Sequence, residues 1–249
     1  MSEIAEAPPA AIPPEPKPNS FQRIVGVLTA PDETFKSIAR RPEWLVPLLI
    51  IVALSIVSVA ILGSRLDFAA TIRDAMEAQG RPVDMSAMKF VVGFTKAVFY
   101  VSPVLGLLIL VVMAMLLLVA FRIFGGDGEF PQAFSIVLYS WMPQLIRSVI
   151  AIIVLVMRPV ITLADVQDPI RSNLGFLFSM KTQPLLYALF ASFDLFTFWT
   201  LFLLIIGFAR MSNFSKAKSA AIVLTMWVLG KMLTLIGPAI AQTRVGSGS

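Results

Sequence analysis

The fold class predicted from the sequence is an all-α polytopic membrane bundle: five transmembrane helices, N-terminal interfacial helices, and a helical hairpin between spans 1 and 2. Three observations carry this reading. Hydrophobic residues make up 57% of the 249, and the mean hydropathy is +0.85. Charged residues are 14%, against about 25% in an ordinary soluble domain, too few to cover the apolar surface of a soluble fold this size. Several windows exceed the ~18 apolar residues that suffice to cross a bilayer.

Residues 1–20 combine prolines with acidic residues and lack a basic n-region followed by an apolar stretch. They read as a disordered Pro/Ala-rich tail. In residues 21–43, Phe21, Ile24 and Leu28 fall on one face of a short helix. Pro31 opens a second helix, with Asp32 and Glu33 in its first turn and Phe35 and Ile38 as its apolar stripe. Two short amphipathic helices with basic residues beside a span predict a collar lying on the membrane surface.

The membrane domain covers 44–240. Span 1 is 44–63, with Trp44 at the interface. The polar segment after it has helical period, with Phe68, Ile72 and Met76 on one face and a stop at Gly80, Arg81 and Pro82. Asp84 can cap a helix running from 85 to about 124, roughly 60 Å long. That is twice the bilayer core, so span 2, 97–121, begins outside the membrane as one arm of a hairpin. "GGDGEF" at 125–130 reads as a tight turn, since it lacks the ending of a phosphate loop and the spaced acids of a calcium loop. Span 3 covers 133–157, span 4 184–209 and span 5 217–240. Residues 241–249 are a tail whose Gly-Ser-Gly-Ser ending reads as an artificial linker.

The chain has no cysteine and no histidine. Disulfides, thiolate nucleophiles, Cys/His zinc sites and His-centred triads are therefore excluded, and no cofactor or metal site is predicted. The net charge is +5, but the basic residues are scattered beside apolar spans. They fit anionic lipid and topology better than nucleic acid. Lys36, Arg40 and Arg41 precede span 1, and Arg210, Lys216 and Lys218 fill the last loop. Five spans put both groups on one side, the cytoplasmic one by the positive-inside rule, with the C-terminus external. The loop after span 1 dissents in part, with five basic residues and four acids.

Arg147, Asp194 and Lys231 lie inside spans 3, 4 and 5. A central Arg or Asp costs roughly 2.5–3.5 kcal/mol on insertion scales, so such residues face the bundle and find partners. Antiparallel neighbours place the three at similar depth near the midplane, which predicts an Arg147–Asp194 pair with Lys231 nearby and with Trp199 and Trp227 within reach. Two readings stay open: a pair that fixes helix register, or a polar pocket of the kind transporters build. No catalytic constellation emerges, because Ser148 or Ser192 with Lys231 has no spacing to recommend it. The expectation is a non-enzyme.

Three stretches carry a family resemblance. "RIVGVLTAPDETFKSIARRPEWLVPLLI" resembles the opening of the Yip family (Ypt/Rab-interacting membrane proteins). "GGDGEFPQAFSIVLYSWMPQLI", with Gly125, Gly126, Phe130, Phe134, Tyr139 and Pro143, is similar to its most characteristic stretch. "FDLFTFWTLFLLIIGFARMSNFSKAKSAAIVLTMWVL", with Asp194, Trp199, Leu203, Gly207 and Ser215, resembles the closing signature of the prokaryotic branch. The likeness covers about residues 20–237.

It implies five spans, a cytosolic N-terminus, and a part in membrane trafficking, since eukaryotic members bind Rab-type GTPases and one another. Leu138 stands where a Gly is usual, and a clear Asp-Leu-x-Gly-Pro motif is missing near spans 1 and 2. Both departures weigh against a small GTPase as partner. Tyr139 and Pro143 match by position and read first as helix packing and a kink. The sequence thus points to a scaffold or adaptor in a prokaryotic cytoplasmic membrane. Its expected partners are the lipid bilayer and other membrane proteins, a second copy included. The alternative is a small transporter, channel or lipid-handling subunit built on the Arg/Asp/Lys cluster.

Overall fold

The computed structural model describes residues 19–77, 85–159, 161, 165, 169–170, 172–179 and 182–246. The predicted tail falls almost wholly outside these residues, as do Gly80, Arg81, Pro82, Asp84 and the closing linker. The helices in chain order are α1 Ser20–Thr29, α2 Pro31–Arg40, α3 Leu45–Gly63, α4 Phe68–Glu77, α5 Met85–Ile123, α6 Phe130–Ser140 and α7 Met142–Val156. A 3-10 turn at Leu174–Leu177 follows, then α8 Pro184–Ala191, α9 Leu195–Ser212 and α10 Lys216–Gly246. Among the described residues, five stretches are long and apolar enough to cross a membrane: Leu45–Gly63, Met88–Ile123, Phe130–Val156, Leu195–Ser212 and Lys216–Ile240. The chain is an all-α integral membrane protein.

One end of the bundle gathers α1, α2 and the turns that close α5 and α9. Gly125, at φ +81°, ends α5: its N–H donates to Arg122 O, and the Gly126 N–H donates to Phe121 O at 2.9 Å. That is the paired bond pattern of a left-handed helix stop. Asn213, at φ 55°, plays the same part after α9. Glu129 opens α6 with a capping box, in which Gln132 Oε1 accepts from the Glu129 N–H. The other nitrogen-bearing arm of Gln132 donates to Ala39 O at 2.6 Å, tying α6 to the end of α2.

The collar is where structure and expectation part. Its apolar stripe faces protein, not lipid. Val27, Phe35 and Ile38 are 0% exposed and belong to the main core with Phe121, Ile136 and Phe208. Ile24 and Leu28 pack against that core, while Phe21 alone of the five predicted interfacial residues stands out, at 72% exposure. The physical reason is a slot on α9. A Cβ on Gly207 would lie 2.4 Å from Ile136 Cγ2 and 3.1 Å from Phe35 Cδ1, so the missing side chain is what admits the Phe35 ring. Polar pins complete the docking. Buried Arg23 donates from Nη1 to Arg41 O at 3.0 Å and pairs with Glu43 at 3.3 Å. Asp32 pairs with both Arg210 and, at 3.0 Å, Lys216.

α5 has 39 residues, about 58 Å of helix. Counting about 30 Å back from Ile123, its first half forms an arm beyond the bundle core, and α4 packs on it with Phe68 edge-on to Phe99 at 5.4 Å. Pro103 removes the N–H that would have bonded Phe99 O, and the Ser102 hydroxyl donates to that carbonyl instead, at 2.7 Å.

Two predicted spans are broken. Span 3 is α6 and α7, closing at Ser140 and restarting at Met142 with Pro143 in the first turn. Proline there lacks the N–H that would bond Tyr139 O, which favours a restart over an unbroken helix. Span 4 is α8 and α9, separated at 192–194, because Asp194 caps a new helix: its Oδ1 accepts from the Thr197 N–H at 3.0 Å.

Candidate functional site

The site is built on the first turn of α9. Asp194 is buried, in extended backbone geometry before Leu195, and its side chain does three things at once. Oδ1 caps α9 at Thr197, Oδ2 accepts from the Ser172 hydroxyl, and Oδ2 lies 3.8 Å from Arg147 Nε on α7. The Leu195 N–H donates to Ser172 O, and Asn173 bridges to Asp194, so the segment before α8 folds back onto this helix start. One turn further along, Gln144 Nε2 on α7 donates to Thr200 Oγ1 on α9 at 3.3 Å. Two polar ties therefore fix the register of α7 on α9.

α10 approaches α9 from another side. Its register is set by a Ser219 hydroxyl bond to Ile205 O at 2.7 Å and by Trp227 against Phe198, ring centroids 6.4 Å apart. Phe198 is one turn after Asp194 and Trp227 one turn before Lys231, so antiparallel packing brings Lys231 toward Asp194. Among the described residues Lys231 makes no ion pair within 4.0 Å. Trp227 Nε1 is buried and makes no hydrogen bond among the described residues. Trp199 and Trp227 both pack against the main core, and Phe198, one turn from Asp194, is the ring beside Trp227.

The neighbours of α7 give the level of the cluster. Ser148, next to Arg147, lines a cavity with Ile51, Val52, Ser55, Ser58 and Val59 in the middle of α3, and Leu155 shares a buried cluster with Leu62 at the far end of α3.

Tyr139 and Pro143 sit elsewhere. Tyr139 is 0% exposed at the heart of the core, with its hydroxyl beside Arg23 and Ser20 of α1. Phe134 stacks on Phe130 at 5.5 Å and meets Trp44 at 6.0 Å. The aromatic run of α6 is thus the wall against which the collar is seated.

A family model described as Yip1 domain matches residues 25–237. The chain belongs to the Yip1 domain family. Comparison with curated proteins returned no match, nor did comparison with solved structures. The Yip1 domain match starts inside α1 and ends within α10, so it takes in the collar as well as all five spans. That agrees with a collar packed as part of the domain.

Sequence reasoning missed Ser172, Thr197, Gln144 and Thr200 around the charges, and Arg23 and Gln132 in the collar seat; it named Gly207 for the resemblance without its part in seating Phe35. Asp194 itself was the available signal for the break, an N-cap residue before an apolar run. The Ser148 and Ser192 hydroxyls donate to the carbonyls of Gln144 and Ala188 in their own helices, at 2.8 and 3.1 Å. Both protons are engaged in the helix. The Asp194 locus holds charge and orders helices.

Proposed function

We propose that this Yip1-domain protein is a non-enzymatic membrane scaffold or adaptor that organises or recruits other membrane proteins, in membrane trafficking as the family resemblance implies. The observation that carries the reading is the α4–α5 arm. Phe90 and Phe94 are 75% and 62% exposed, stack at 6.3 Å, and project where α5 outruns the bundle core, with Lys89 and Lys96 on the same helix. Exposed aromatic side chains are enriched at partner surfaces. The collar end carries Lys36, Arg40, Arg41, Arg122, Arg210, Lys216 and Lys218, which supports a cytoplasmic collar and N-terminus, an external C-terminus and residence in a prokaryotic cytoplasmic membrane. The partner is another membrane protein or a second copy, and the departures at Leu138 argue against a small GTPase.

The test is co-purification of the full chain from its native membranes, wild type against Phe90→Ser/Phe94→Ser. The scaffold reading expects a stoichiometric protein partner, or a homo-oligomer, lost in the variant while its thermal unfolding midpoint holds. A wild-type chain that is monomeric and partner-free, or a partner indifferent to both changes, would overturn it. Deleting 21–41 would not serve as a test, since Val27, Phe35 and Ile38 fill the core.

A further inference from the structure

Of the five spans, α10 is the least enclosed by protein, and one stripe along it changes character halfway. Ser219, Val223, Met226, Gly230, Thr234 and Gly237 follow at steps of three and four residues, so they share one helix face. Ser219 and Val223 are buried, and Met226 packs against the main core. Beyond Met226 the same face is bare. Gly230, Thr234 and Gly237 are exposed, and a Cβ on either glycine would meet open space.

Lys231 stands beside this bare stretch, one turn from Thr234. It lies midway between Lys218 and Arg244, about 20 Å along the helix from each, too deep for its side chain to reach either surface. Among the described residues it makes no ion pair within 4.0 Å. The spans hold no acid other than Asp194, at the start of α9, and its carboxylate is engaged by Thr197, Ser172 and Arg147. A charge left uncompensated in the hydrocarbon layer is costly and calls for an opposite one. We infer that this half of α10 receives a transmembrane helix of another membrane protein, one that carries an Asp or Glu at mid-span to pair with Lys231. Gly230, Thr234 and Gly237 let a second backbone come close, as small residues do where spans pack together. A second copy of this chain does not fit, because its own intramembrane acid is 5% exposed and already engaged. The surface is an addition to the scaffold reading and does not depend on the arm at Phe90 and Phe94.

The experiment measures association of the full chain with host helices in phosphatidylcholine vesicles, by energy transfer between fluorophores. The hosts are leucine-rich spans of about 22 residues whose central residue is Glu, Leu or Lys. The Glu host should bind on the order of tenfold more tightly than the Leu host. Lys231→Met should abolish that preference, and Lys231→Glu should transfer it to the Lys host. Gly230→Leu, at an exposed site, should weaken the Glu host severalfold by holding the backbones apart while Lys231 stays in place. Phe90→Ser/Phe94→Ser should leave all three affinities unchanged, which separates this surface from the arm. Equal binding of the Glu and Leu hosts, or a preference that survives Lys231→Met, would overturn the pairing. Binding of the Glu host untouched by Gly230→Leu would overturn the surface.

Discussion

Changing Asp194 to Asn and, separately, to Ala takes apart the two jobs of its carboxylate. Asn keeps an oxygen for the Thr197 N–H, since Asn and Asp cap helices about equally well, but removes the charge that lies 3.8 Å from Arg147. Ala removes both. Breaking a fully buried ion pair costs about 3–5 kcal/mol. Arg147 is 27% exposed, so its side chain can reorient once its partner is lost, and about 1–3 kcal/mol is the expectation for Asp194→Asn. Asp194→Ala should lose about 1 kcal/mol more, the worth of a cap. The assay is reversible unfolding in mixed micelles by SDS titration, run as a double-mutant cycle with Arg147→Gln. Coupling above about 0.5 kcal/mol is expected for groups in one network. Additive single changes would refute the pair, and equal losses for Asn and Ala would refute the cap.

The docked collar makes further predictions. Phe35→Ala should lower stability by about 3–5 kcal/mol, as for other buried aromatics, whereas Phe21→Ala should stay within about 0.5 kcal/mol; thermal unfolding in detergent reads both. Gly207→Val should overpack the slot between Ile136 and Phe35 at a cost of about 1–3 kcal/mol or more and free the collar, seen as new protease cuts within 21–41. Asp32→Asn, removing the half-exposed partner of Arg210 and Lys216, should cost under about 1 kcal/mol. That loss should fade near 1 M salt, where the screening length is ~3 Å.

The spans were readable because hydropathy over eighteen or more residues has little else to mean. The approach of Arg147 to Asp194 was also within reach, since buried charges at similar depth seek one another. The helix breaks were harder to see. Between Pro184 and Gly207 the one charged residue is Asp194, which reads equally as a buried charge inside one helix and as the cap of a second. The collar was ambiguous for a similar reason. An amphipathic stripe of Phe35 and Ile38 states that one face is apolar and does not say whether lipid or protein covers it. What decides is Gly207, some 170 residues away, whose absent side chain makes room.

The most direct test of a collar built into the bundle uses the absence of cysteine from the chain. Val25 and Val27 are two residues apart on α1, 45% and 0% exposed. Single Val25→Cys and Val27→Cys chains, labelled with maleimide first in membranes and then in mild detergent, separate protection by protein from protection by lipid. A docked collar predicts fast labelling at 25 under both conditions, and at 27 only after denaturation. Labelling at 27 as fast as at 25 once the membrane is dissolved would show a helix held by lipid alone and contradict the account.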